Sequence, residues 1–296
     1  MAGFTTKTVH KTPYAEISPT SPNQSQAGQT VVVTGGGGGI GLAIARAFAQ
    51  AEAERIILLG RRSAVLFDAV SQLKKEVPEY HGDLRALPCD ITDTAKVTLF
   101  WDQLKDECIA VDVLVLNAGV IGPVGDILKA KNNDAWAAFD ANTRANLDMT
   151  QQFFNNIDAL PNGKKKSLIH ISSATVTDFH LNPTAGVYAS SKGSFLGLLH
   201  RIAVQVPVEK AQIVSFDPGS IFSPGAKAAG HSPDSFDWDD ENLPGQFAVW
   251  TTSAAAALFH GRFIHARWDV SELRGPEVKA QIENNDMFLK LGVVGL

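Results

Sequence analysis

Short apolar runs and amphipathic stretches alternate along most of this chain. "TVVVTG" (Thr30 to Gly35) is β-branched and continuous, and a helical pattern follows it through Ala51. "RIILLG" (Arg55 to Gly60) precedes a helix through about Val77, and "LRALPCD" (Leu84 to Asp90) precedes one over 94–108. "VDVLVLNAG" (Val111 to Gly119) leads to a long helix across roughly 134–159. "SLIHISS" (Ser167 to Ser173) is followed, after a loop, by a helix from about Tyr188 to Val206. "QIVSFDPG" (Gln212 to Gly219) is a sixth run. A Pro/Gly/Asp-rich loop and an alanine-rich helix near 247–257 then lead to "GRFIHARWDV" (Gly261 to Val270). Near-continuous apolar strands alternating with helices predict a parallel sheet covered on both faces. Right-handed crossovers make this a doubly wound α/β fold of the Rossmann type, with about seven strands in a single domain. Ligands are then expected at the C-terminal ends of the strands.

Residues 1–28 are rich in Ser, Thr, Pro and Gln and have no periodicity, so they read as an irregular tail. Two readings of it stand: Phe4, Tyr14 and Ile17 pin it to the body, or it is a mobile terminus. The catalytic domain is placed at 29–270, with 271–296 as an extension. Of the 296 residues, 45% are hydrophobic and 19% charged, which excludes a disordered chain. The net charge of −5 gives no reason to expect nucleic acid or an anionic membrane as partner. The basic run Lys164-Lys165-Lys166 reads as a solvated turn. Two cysteines, Cys89 and Cys108, cannot build a disulfide framework, and scattered histidines offer no metal-ligand spacing. With no signal peptide and no apolar run long enough to cross a bilayer, a cytoplasmic protein is expected.

The candidate chemistry begins at "TGGGGGIG" (Thr34 to Gly41). Lying between the first strand and first helix, it is a turn that brings backbone N–H groups and a helix N-terminus to a pyrophosphate. The pattern TGxxxGxG fixes Gly35, Gly39 and Gly41, with Ile40 between the last two. Leu42 after Gly41 excludes the lysine-ending phosphate loop. The second strand ends in Gly60-Arg61-Arg62, with no acid until Asp68. Guanidinium suits a 2′-phosphate, so this end reads as NADP(H)-binding; the competing reading is two surface arginines. "YASSK" puts Tyr188 and Lys192 on one helix face, where a cation favours the phenolate and brings its pKa toward working range. "ISS" (Ile171 to Ser173), "NAG" (Asn117 to Gly119) and "DPG" (Asp217 to Gly219) end strands at the same sheet edge.

With these motifs in this order, TGGGGGIG, CDITD, NAG, ISS, YASSK and DPG, the sequence resembles a short-chain dehydrogenase/reductase, from about Gly28 to Asp269. "FTTKTVHKTPYAEISP" and "GRFIHARWDVSEL" are further similar to a fungal subgroup often found in secondary-metabolite pathways. The resemblance implies that Gly35, Gly39 and Gly41 shape the cofactor turn and that Arg61, helped by Arg62, binds the 2′-phosphate. It implies Asp90 at the adenine and Asn117 beside the cofactor. Asn142, with Asn146 as rival, would support a water relay to the lysine, and Ser173 rather than Ser172 would be the catalytic serine. Tyr188 would be the acid/base, with Lys192 lowering its pKa and binding the nicotinamide ribose. Pro218, Gly219, Ile221 and Ser223 would hold the nicotinamide amide. Ser223 replaces the usual threonine but keeps the hydroxyl.

The function so implied is an NADPH-dependent oxidoreductase that transfers a hydride between NADP(H) and a ketone or secondary alcohol, and this is the first reading. The alternatives are a non-redox isomerase, dehydratase or cyclase on the same scaffold, and a non-catalytic cofactor sensor. A homo-oligomer, dimer or tetramer, is expected, although the extension replaces the family's short ending. The loop Ser220 to Gly245 would close over the substrate, with Phe222, Phe236 and Trp238 as an apolar wall. Its acids Asp237, Asp239, Asp240 and Glu241 read as a solvated turn rather than as a site for a basic substrate.

Overall fold

A computed structural model describes residues 5–159, 163–228 and 230–293. Among them, seven strands form one parallel sheet in the order β3-β2-β1-β4-β5-β6-β7. They are β1 (Thr30–Thr34), β2 (Arg55–Gly60), β3 (Asp83–Pro88), β4 (Val113–Leu116), β5 (Lys166–Ile171), β6 (Ala211–Asp217) and β7 (Arg262–His265). The connecting helices are α1 (Gly39–Gln50), α2 (Ser63–Glu76), α3 (Thr94–Asp106), α4 (Asn132–Phe139), α5 (Ala145–Ala159) and α6 (Gly186–Gln205). After β6 come α7 (Pro224–Ala228) and α8 (Asn242–Trp250), and after β7 come α9 (Val270–Leu273) and α10 (Pro276–Asn284).

Alternation along the strands divides the core. Val31, Val33, Ile56, Leu58 and Val115 pack with α1, α2 and α8 on one face. Val32, Ile57, Leu59, Leu114 and Leu168 pack with α3, α5 and α6 on the other. Both faces are apolar, so β1, β2 and β4 lack a polar side and their runs are near-continuous, as the sequence pattern predicts, while the edge strand β3 is half-buried. The chain leaves β1 toward β2 on one side and β4 toward β5 on the other. The crevice between β1 and β4 is therefore the topological switch point, where ligands of such sheets bind.

Several elements differ from expectation. The long helix expected over 134–159 is interrupted at Asp140–Arg144 by a π-helical turn, in which the Ala145 N–H reaches back to the Asp140 carbonyl. The alanine-rich helix expected near 247–257 starts earlier, at Asn242, whose N–H is accepted by Asp240. It ends at Trp250 because the hydroxyls of Thr251, Thr252 and Ser253 donate to the carbonyls of Ala248, Val249 and Trp250. A 3₁₀ segment, Ala254–Phe259, takes up the remaining alanines. The tail is attached: Ile17 is buried in the core, and the Tyr14 hydroxyl donates to the Trp268 carbonyl and accepts from the Val270 N–H. Phe4 lies outside the described residues. The extension packs beside β7, with the Phe263 N–H donating to the Leu289 carbonyl.

The basic run is not a wholly solvated turn. Lys166 is 1% exposed, and its ammonium donates to Asp112 Oδ1 at 2.9 Å while Asp112 Oδ2 accepts the Thr30 N–H. The pair joins the N-terminal ends of β1, β4 and β5. The variant Lys166→Met, which removes the buried ammonium from beside the Asp112 carboxylate, is expected to lose about 3–5 kcal/mol in urea unfolding. A loss no larger than that of an exposed pair, under about 1 kcal/mol, would contradict this role.

Candidate active site

Backbone approach builds the first part of the site. Gly35 and Gly39 have φ of +67° and +52°, in the region that favours glycine. A β-carbon on Gly41 would lie 2.3 Å from the Gly35 carbonyl oxygen and 2.6 Å from Asn117 Nδ2. Only glycine therefore lets α1 start so close to the end of β1. The Asn117 amide donates to the Thr34 carbonyl at 2.9 Å and the Gly35 carbonyl at 3.3 Å. Thr34 Oγ1 in turn accepts the N–H groups of Asn117 and Ala118, both at 3.0 Å. Thr34 and Asn117 thus fasten β1 to β4 beneath the glycine turn.

A cleft of about 870 Å³ opens above this junction, in the range of small-molecule sites. Gly35, Gly39, Ile40 and Gly41 line it, with Arg61, Arg62, Asp90, Asn117, Gly119 and Ser223. Arg61 and Arg62 are exposed at its edge, where β2 runs into α2. Asp90 shapes its own turn by accepting the Thr92 N–H and hydroxyl. Cys89 beside it is buried, which pushes its thiol up to about 11 and argues against reactivity. Ser223 stands over the glycine turn: a β-carbon on Gly39 would come within 3.1 Å of its Cβ. Pro218 and Ile221 are buried behind it, and Gly219 turns the chain with φ of +88°.

At the Gly119 end of the cleft three elements converge. A β-carbon on Gly119 would lie 2.9 Å from Asn142 Oδ1 and 3.2 Å from Lys192 Nζ. Asn142, fully buried in the π turn, accepts the Val120 N–H and donates to the Val120 carbonyl and to Ser191 Oγ. The turn is held by Arg144, which pairs with Asp140 and Asp148 and donates to the Thr92 carbonyl. Asn146 stands one turn behind, donating to the Asn142 carbonyl. Lys192 donates to the Ile171 carbonyl at 2.8 Å, and burial pushes its ammonium down to about 8.

Tyr188 lies in the first turn of α6. Burial pushes its phenol up to about 12; the nearby Asp217 charge acts in the same direction and the Ser173 hydroxyl opposes both. Ser173 follows β5, two residues past Ile171, and caps the next turn by accepting the Thr175 N–H at 3.3 Å. Ser172 is buried, and its hydroxyl has no partner among the described residues.

Asp217 is a participant to which the motif reading assigned no role. It is buried and accepts the N–H groups of Ala174 at 2.7 Å and Gly219 at 3.1 Å, so it ties the turn after β5 to the turn after β6. Burial alone would raise its pKa, yet the hydrogen bond from His265, the charge there and the two N–H groups hold it below the usual carboxylate range. The "DPG" motif marks the residue; its partner on β7 has no sequence signal.

The acids of the loop also depart from expectation. Asp239 is buried and accepts the Ser220 N–H at 2.8 Å, Asp237 pairs with Lys11, and Glu241 pairs with Arg46. They serve the protein's own structure, so the solvated-turn reading fails for Asp239. Phe222, Phe236 and Trp238 pack on one another, with ring centroids 5.5 and 4.9 Å from Trp238.

Comparison with known proteins places these features in context. The family model for short chain dehydrogenases matches residues 29–233. A "Short chain dehydrogenase/reductase" of Claviceps purpurea is 30% identical over 98% of this chain and 94% of its own length. The "Short chain dehydrogenase/reductase AacuD" of Aspergillus aculeatus is 30% identical over 98% of this chain and 96% of its own. Among solved structures, the Pseudomonas aeruginosa RhlG/NADP active-site complex superposes with a TM-score of 0.73 at 22% identity, covering 82% of this chain and 96% of that one. An actinorhodin polyketide ketoreductase with NADPH gives 0.70 at 18% identity, with the same two coverages. At these identities the structural likeness is one of fold.

Proposed function

The chain belongs to the short-chain dehydrogenase family, and from that premise we propose that it interconverts a ketone and a secondary alcohol using NADP(H). The observation that carries this reading is the junction at Gly119. There Lys192 and Asn142 come together at one end of a cleft whose other end is the glycine turn, with Tyr188 one helical turn before Lys192 on α6.

The residues present fit a dinucleotide. The turn at Gly35, Gly39, Ile40 and Gly41 leaves backbone N–H groups and the α1 N-terminus for the pyrophosphate, where a side chain would block approach. Arg61, with Arg62, is assigned to the 2′-phosphate, Asp90 to the adenine and Asn117 to the cleft wall. Pro218, Gly219, Ile221 and Ser223 are assigned to the nicotinamide amide, and Lys192 to the adjoining ribose. When bound, NADP(H) supplies or takes the hydride. The preference for NADP(H) over NAD(H) rests on the arginines and agrees with the NADP and NADPH named in two similar structures. A role in secondary metabolism is assigned from the motif resemblance to a fungal subgroup, and the relatives named above are fungal.

Tyr188 is the proton donor to the carbonyl oxygen in the direction of reduction. With its phenol pushed up to about 12 it is protonated at neutral pH, the state this direction requires. Ser173 steadies the charge developing on the substrate oxygen and on the phenolate left behind. The lowering of the Tyr188 pKa expected from Lys192 is outweighed by burial, which raises it; Lys192 is placed one helical turn away, and Asn142 maintains the backbone around it. The molecule is expected to work as a homo-oligomer, dimer or tetramer.

Tyr188→Phe is expected to lower ketone-dependent NADPH oxidation by about 10²–10⁴-fold while leaving NADPH binding nearly unchanged in a fluorescence titration. Turnover at the wild-type rate would remove Tyr188 from the chemistry. In the same titration, Arg61→Ala is expected to weaken NADPH binding by roughly tenfold or more and NADH binding hardly at all. Equal losses would overturn the 2′-phosphate assignment.

A further inference from the structure

The N-terminal segment lies far in sequence from the site, yet it reaches the site's loop. Its anchorage is on the chain just after β7. The Glu272 carboxylate accepts the N–H groups of Lys7 at 2.6 Å and Thr8 at 3.0 Å. Val9 makes an antiparallel bridge with Trp268, and the His10 N–H donates to the Arg267 carbonyl at 2.7 Å. The His10 ring lies 2.9 Å from Asp269 Oδ2 and stacks on Tyr14, centroid to centroid 3.6 Å. Tyr14 closes the series with its two bonds to Trp268 and Val270. These contacts span the eight residues from Lys7 to Tyr14, and the chain is fixed beyond them by Ile17 in the core.

Between His10 and Tyr14 the segment touches the loop after β6. The Lys11 carbonyl accepts the Asp240 N–H at 2.8 Å, while its ammonium donates to the Asp237 carbonyl at 3.0 Å and pairs with the Asp237 carboxylate. Between these two points sits Asp239. It exchanges two hydrogen bonds with Ser220, N–H to carbonyl at 2.7 Å and carboxylate from N–H at 2.8 Å. Its carboxylate also packs on Gly219, where a β-carbon would approach Oδ2 to 2.5 Å, and it lies 3.6 Å from the Arg267 guanidinium. Gly219 and Ser220 lead directly into Ile221 and Ser223, above the glycine turn.

We propose that residues 7–14 form a strap that positions the nicotinamide end of the site, with Lys11 gripping Asp237–Asp240 and Asp239 passing that grip to Gly219 and Ser220. This rests on the reading that Gly219 to Ser223 face the nicotinamide. Lys11 is a positioning residue: it touches neither cofactor nor substrate. Its ion pair is exposed and individually weak, so its removal leaves the fold intact and loosens only the loop.

Hydrogen exchange on the full-length protein, with and without NADPH, tests the strap. Lys11→Ala is expected to speed exchange of the Ser220, Asp239 and Asp240 amides by about two- to fivefold, with amides of β1 and β4 unchanged. The fluorescence enhancement of bound NADPH is expected to fall, and Lys11→Arg to restore both readings. Tyr14→Phe, which unpins the strap at its buried end, is expected to loosen the same amides. Unchanged exchange in Lys11→Ala overturns the strap, whatever Tyr14→Phe does. Faster exchange with undiminished NADPH emission overturns its reach to the nicotinamide end. Failure of NADPH to bind the wild-type protein would refute the cofactor reading instead, and the exchange without NADPH would still decide the strap's hold on the loop.

Discussion

The contact between Gly41 and the Gly35 carbonyl leaves no room for a β-carbon, and the site depends on that closeness. It sets the start of α1 against the end of β1, directly over Asn117 at the end of β4. Thr34 and Asn117 then lock the two strands where the sheet changes direction. A second close approach, at Gly119, brings Asn142 and Lys192 to the same level of the sheet. Two glycine contacts, at the ends of the neighbouring strands β1 and β4, flank one cleft.

The groups at the Gly119 end carry the mark of burial. Lys192 is pushed down to about 8 and Tyr188 up to about 12, each toward its neutral form. Such divergence is characteristic of groups arranged to handle protons. For Lys192 the sign of the stability effect follows from linkage. The unfolded chain holds its proton up to its ordinary range near 10.5 and the folded chain only to about 8, so this group's contribution to stability rises with pH between those limits. Tyr188 acts oppositely, because its folded-state pKa is the higher one. Its contribution is fully present below about 10 and is lost as pH rises through about 12.

Much of this was legible along the chain. The apolar runs mark β2 at its observed bounds, Arg55–Gly60, and place every other strand within a few residues. Both faces of the sheet are covered, so the central runs of β1, β2 and β4 show no alternating polar side. Tyr188 and Lys192 are legible as a pair because a helix makes neighbours of residues four apart. What was not legible depends on distant partners. Lys166 reads as one of three surface lysines until Asp112, 54 positions away, is placed beside it. Asp239 reads as solvated until Ser220 and Arg267 enclose it. The tail has no periodicity because a strap of hydrogen bonds needs none. The π turn at Asp140–Arg144 escapes a 3.6-residue pattern by definition, although it is what turns Asn142 toward Gly119.

The central claim is that hydride passes between NADP(H) and a carbonyl carbon in this cleft. The most direct test is to incubate the protein with NADPH deuterated at the pro-S C4 position and a metabolite extract of the organism that makes it, then compare masses. The account predicts a protein-dependent product carrying one deuterium on the carbinol carbon. A protein-dependent product formed without label, with the NADPH unconsumed and no turnover with NADP⁺ in the reverse direction, would contradict it and place non-redox chemistry on this scaffold.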